Sequence, residues 1–167
     1  MISPAHAQQM ARYNTWQNKS LYTAAAGLSD AARRADQGAV WGSIHATLAH
    51  ILWADQVWMS RFAGWERPAF TAAEVMAAYP DFSALHATRI EKDAAIETWT
   101  NSLTQGDLEG DLLWYSGAMQ RNVSAPRWAC VTHLFNHQTH HRGQAHAMLT
   151  AAGAKPEDTD LFLMVAQ

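Results

Sequence analysis

Three histidines, His133, His137 and His141, recur every four residues in the proline-free stretch from Trp128 to Ala152, WACVTHLFNHQTHHRGQAHAMLTAA. On an α-helix each such step turns a side chain only ~40° around the axis and ~6 Å along it, so the three form a stripe on one face. The same stretch holds five of the chain's nine histidines. Residues i and i+4 are surface neighbours on a helix and imidazole is a common ligand for divalent ions, so adjacent members of the stripe are spaced to share a metal. The spacing fits His133 with His137 as well as His137 with His141, and by itself does not choose.

The rest of the chain suits a helical frame for that stripe. With 167 residues it is long enough for a single domain spanning residues 1–167, and 49% apolar residues with 16% charged ones suit a buried core. Alanine-rich runs such as Thr23-Ala24-Ala25-Ala26 favour helix over strand, making all-α the expected fold class. Ser3 before Pro4 starts a first helix to about Ala26, with Met10, Tyr13, Trp16 or Gln17, Leu21 and Ala24 at helical spacing. A connector through Gly27–Gly42, with a short turn of helix after Ser29-Asp30, leads to a second helix from about Trp41 to Phe62. There Ile44, Leu48, Leu52 or Ile51, Asp55 and Met59 lie near one line. The linker from Gly64 to Pro80 carries a helical turn after Thr71 and can run the length of a helix, so the helices it joins need not be antiparallel.

A third helix begins at Asp81 or Ser83, with Phe82, Leu85, Arg89 or Ile90, Ile96 and Trp99 inward and Glu91, Lys92, Asp93 and Glu97 toward solvent. Residues 106–126 have strand character, predicting a short hairpin around Ser116-Gly117-Ala118-Met119. The fourth helix follows Pro126 and ends near Gly153, where a left-handed cap fits before Pro156. The tail, Asp158 to Gln167, is expected to pack back through Leu161, Phe162 and Leu163.

His50, in the middle of the second helix among Ile51, Leu52 and Trp53, is the third ligand candidate, because a buried imidazole must satisfy its nitrogens. His50 with His137 and His141 makes three nitrogen ligands, a set that leaves a position open for water or substrate. Cys130 is the only cysteine, so neither a closed thiolate site nor an intrachain disulfide is available. A core role for any one of these histidines is the competing reading. Gln138 follows His137 where an H-E-x-x-H peptidase needs glutamate, which disfavours that class. A net charge of −3 without a basic block argues against a nucleic-acid partner. No membrane-length apolar run or signal pattern is present, and a soluble, cytoplasmic protein is expected.

Several motifs resemble one family. Asn136-His137-Gln138-Thr139-His140-His141-Arg142-Gly143-Gln144 is similar to the N-H-x-x-H-H-R-G-Q signature of the DinB/YfiT-like metalloenzymes. Leu48-Ala49-His50-Ile51-Leu52-Trp53-Ala54-Asp55 with Trp58 resembles the family's second-helix motif, and Tyr13-Asn14-x-Trp16-x-Asn18 its first. The resemblance spans nearly the whole chain. It implies a four-helix bundle of up-down-down-up course, a mononuclear site of His50, His137 and His141 in preference to His133, and zinc or nickel as the ion. It also implies a homodimer, and in some relatives thiol-dependent transfer or isomerisation with a low-molecular-weight thiol. Asp55, Asn136, Asn14 and Asn18, with Arg142 and Gln144, are the candidates to orient an imidazole or a small-molecule substrate. Their alternative is structural: Asp55 paired with Arg142, the asparagines in solvent, Arg142 and Gln144 tying helices together. The roles of His133 and His140 are left open. Trp16, Trp53, Trp58 and Trp128 either pack the core or line an apolar pocket over the open metal position.

Overall fold

A computed structural model describes residues 2–117 and 119–165. The chain is mostly helical, with one two-stranded sheet. Helix α1 (Pro4–Ala26) starts where Ser3 accepts from the His6 N–H and proline takes the first helical position. It is followed by the short α2 (Asp30–Arg34), the long α3 (Ile44–Phe62), the short α4 (Val75–Ala78) and the long α5 (Phe82–Ser102). A hairpin of β1 (Asp111–Ser116) and β2 (Arg121–Pro126) then leads into α6 (Arg127–Ala151), and α7 (Leu161–Val165) ends the described chain. The strands pair antiparallel from Asp111 opposite Pro126 to Ser116 opposite Arg121. The hairpin therefore lies where strand character was read, although Ala118 is outside the described residues.

Caps set the long helices. Ser43 accepts from the Ala46 N–H and opens α3, and Asp81 accepts from the Ala84 N–H and opens α5. The Glu74 carboxylate accepts from the Thr71 N–H and hydroxyl, fixing the turn in the long linker. Gly153, at φ +82°, follows α6 in the left-handed conformation that favours glycine. Trp41, read as the start of the second helix, instead precedes the cap. Gly42 at φ +75° turns the chain between them, and that turn lets Trp41 fold back over α3.

α1 packs against α5 and α6, and α3 against α6 and α5. The core falls into two apolar clusters. One joins Leu21 and Tyr22 of α1, Leu48 and Leu52 of α3, Leu85 of α5 and Leu149 of α6. The other joins Ala7 and Ala11 of α1, Met59 and Phe62 of α3, Ile96 of α5 and Leu134 and Phe135 of α6. Between them in the sequence of every long helix lies a buried polar residue: Asn14 and Asn18, Asp55, Arg89 and Asp93, Gln138 and Arg142. Arg89 pairs with Asp55 at 2.6 Å and with Asp93 at 2.8 Å. Asn14 and Asn18 donate to Asp93, and Arg142 donates to the Asn14 carbonyl and to Thr139.

This layer corrects several expectations. Asp93 is buried rather than solvent-facing, because Arg89 and two asparagine amides satisfy it. Asp55 pairs with Arg89, not Arg142, and Asn14 and Asn18 are buried rather than solvated. Of the alternatives on the third helix, Arg89 faces inward and Ile90 is 60% exposed. On α1 the inward face carries Ala7, Ala11, Asn14 and Asn18 beside Leu21, so Met10, Trp16 and Ala24 are only half-buried. In the tail Leu161 and Leu163 are half-buried, Phe162 is 65% exposed, and residues 166–167 lie outside the described residues. Tyr13 and Gln17 hold the preceding strap by donating to the Thr159 and Asp158 carbonyls.

Candidate metal centre

The site forms where α3 and α6 face one another. His50 lies mid-helix on α3 and is buried; His137 and His141, one turn apart on α6, are half-buried and buried. One ligand-type nitrogen from each lies within 4.8 Å of the other two. His50 Nε2 and His137 Nε2 are 3.3 Å apart. Two nitrogens bound at ~2.0–2.1 Å to one tetrahedral ion stand roughly 3.3 Å apart, so this edge has a metal site's dimensions. An N–H···N hydrogen bond would explain that edge alone. It does not explain the third imidazole, whose ring centre is 4.7 Å from that of His50 and 4.4 Å from that of His137.

His141 is oriented by its own helix. Its Nδ1 lies 2.8 Å from Gln144 Oε1, which accepts that proton and leaves the Nε2 lone pair for an ion. The Gln144 amide nitrogen lies 3.2 Å from His140 Nε2, so one glutamine bridges the two histidines. Trp41 stacks on His50 with ring centres 3.8 Å apart and reaches His141 edge-on at 6.5 Å. This indole covers one face of the His50 ring. Sequence reasoning missed it because it counted Trp41 into the helix; the Gly42-Ser43 pair, a turn residue followed by a cap, was the available signal.

Electrostatics keep the cluster neutral. Burial, reinforced by His141 and His137, holds the His50 pKa down to about 3. Burial with His141, His133 and His140 holds His137 to about 4, and burial lowers His141 against the opposing bond to Gln144. Neutral imidazoles have free lone pairs at ordinary pH, which metal ligation requires. Among the described residues the cluster contains no thiolate or carboxylate. Cys130 is seven residues before His137, about 10 Å along the axis, and burial pushes its thiol pKa up. The three histidines could therefore hold one divalent ion through nitrogen alone.

The other candidates separate. Gln144 touches a ligand histidine directly. Asp55, Asn14, Asn18 and Arg142 belong to the buried polar layer, with Arg142 next in sequence to His141 and Gln138, fully buried beside Asp55, next to His137. Asn136 is exposed on α6 and joins neither group. His133 contacts Trp58 at 5.0 Å and His137 at 5.7 Å between ring centres, one turn from the cluster. Trp53 leans on His50 at 5.8 Å, Trp16 packs edge-on to Tyr13, and Trp128 packs on the apolar cluster of Met59, Phe62 and Leu134.

A family model described as DinB family matches residues 1–167, the whole chain. A search of the curated proteins finds no match. No described helix is long and apolar enough to cross a membrane.

Proposed function

The chain belongs to the DinB family, and from that membership and the histidine cluster we propose a metal-dependent enzyme acting on a small molecule through one divalent ion, zinc or nickel, held by His50, His137 and His141. The observation that carries this reading is the convergence of three neutral imidazoles with no fourth histidine, cysteine or carboxylate in the cluster among the described residues. A three-ligand shell of this kind leaves a coordination position open, as catalytic sites do. When bound, the ion supplies Lewis acidity, lowering the pKa of a water or a low-molecular-weight thiol that joins it. Gln144 fixes the His141 tautomer, and Trp41 shields His50 from water. Asp55 is committed to Arg89 and the residue after His137 is Gln138, so neither position supplies a free carboxylate as general base. That supports thiol-linked transfer or isomerisation over hydrolysis.

The same reading includes an up-down-down-up four-helix bundle as a single domain. It is supported by the order in which each long helix passes between the two apolar clusters: α1 and α6 run one way, α3 and α5 the other. A homodimer in the cytoplasm, without nucleic-acid or membrane partners, is proposed with it; the net charge of −3 supports the exclusion of nucleic acid.

The competing reading is a bundle in which the ion only ties α3 to α6. Elemental analysis of purified protein and of its variants tests the ligands. About one zinc or nickel per chain is expected in the native protein and in His140→Ala, and little in His50→Ala, His137→Ala or His141→Ala. Full metal retention in those three variants would refute the assignment. Turnover of thiol conjugates by the metal-loaded protein separates enzyme from structural tie.

A further inference from the structure

One helical turn from the cluster, between α3, α6 and the hairpin, a cleft of about 280 Å³ is lined by Trp58, Trp114, Ala125, Ala129, Cys130 and His133. Its surface is nearly all apolar. The two indoles meet edge to face with centres 5.5 Å apart, and His133 closes on Trp58 at 5.0 Å. Because His133 also touches His137, the inner wall of the cleft is in contact with the histidine cluster.

A cation stands over this apolar slot. The Arg61 guanidinium lies 4.4 Å from the Trp58 ring centre and 5.3 Å from that of Trp114, close enough to Cys130 and His133 to act electrostatically on both. Among the described residues it forms no ion pair with a carboxylate; the five pairs involve Asp30, Asp55, Asp93 and Glu91 with other cations. Asp111, which acts electrostatically on Cys130, accepts from Ser124. A half-buried guanidinium without a carboxylate has its planar fork of donors free for an anion, and indole faces hold that fork in place. An apolar slot with one such polar anchor has the make-up of a small-molecule site.

We infer that this cleft binds a small, flat apolar organic anion, an aryl carboxylate or sulfonate, with its ring against the joined Trp58–Trp114 wall, its anionic head on Arg61 and its far edge against His133. Taking this ligand as the substrate of the neighbouring centre rests on the function proposed above; the binding itself does not need the ion.

The test is calorimetric titration of metal-free and zinc-loaded protein with 1-naphthoate and with neutral 1-naphthamide. Naphthoate binds both forms saturably, and the amide binds about tenfold more weakly, the size of one charge-assisted contact. Arg61→Gln brings naphthoate down to the level of the amide, Arg61→Lys retains part of the difference, and Trp114→Ala weakens both ligands. Equal binding of the two ligands to native protein, naphthoate binding unchanged in Arg61→Gln, or binding seen only with zinc would overturn the inference. Metal retained in His137→Ala while naphthoate binds as expected would sink the metal assignment and leave the cleft standing. Loss of metal from His137→Ala with no naphthoate binding would do the reverse.

Discussion

Gln144 carries more of the centre than its position suggests. Its carbonyl fixes the His141 ring, and groups that orient a ligand from behind typically govern metal affinity ~10–100-fold. Gln144→Ala should therefore weaken zinc binding by about that factor while leaving the fold intact, as read by competition with a chromophoric chelator and by circular dichroism. The buried imidazoles predict a pH dependence for the metal-free protein. His50 and His137 titrate near 6.5 when unfolded but only at about 3 and about 4 in the fold, so on acidification the unfolded chain takes up protons first. Their contribution to stability is complete above pH 6.5 and is lost progressively as pH falls, to about 4 for His137 and to about 3 for His50. Thermal melts in chelator should show that decline, and His50→Phe should make it shallower. Identical slopes in the two proteins would contradict the burial of His50.

At the scale of elements, the polar layer is what the helix carrying His137 and His141 leans on. Arg89 sits between Asp55 and Asp93, and Arg142 reaches Asp93 through the Asn14 amide, so two cations balance two carboxylates across four helices. Removing one side of a buried pair leaves the other uncompensated, and Arg89→Ala should cost about 3–5 kcal/mol in urea unfolding. A loss below about 1 kcal/mol, typical of an exposed pair, would show that the layer is solvated. The elements were largely legible in the sequence, because Ser3, Thr71, Asp81 and Gly153 are local signals of caps and turns that operate without tertiary context. Inward faces were less so. Asp93 and the asparagines of α1 look like solvent residues by type, and only partners on other helices bury them. Trp41 shows the same limit: a two-residue turn decided whether it extended a helix or covered a histidine.

For the molecule as a whole, the centre depends on joining α3 to α6. The α6 spacing narrowed the ligands to two overlapping pairs, and His50 was singled out by its apolar neighbours. The choice of His141 over His133 came from the family motif, and the structure brings His141 to the cluster while His133 lines the neighbouring cleft. An ion bound only by the folded state stabilises it by mass action, so zinc at about 100 times its dissociation constant should add about 2.7 kcal/mol. The most direct measurement is X-ray absorption spectroscopy of the zinc- or nickel-loaded protein. Three imidazole nitrogens at ~2.0–2.1 Å with at least one further, exchangeable light-atom ligand and no sulfur are expected. A closed shell of four protein donors, or any sulfur from Cys130, would contradict an open three-histidine centre.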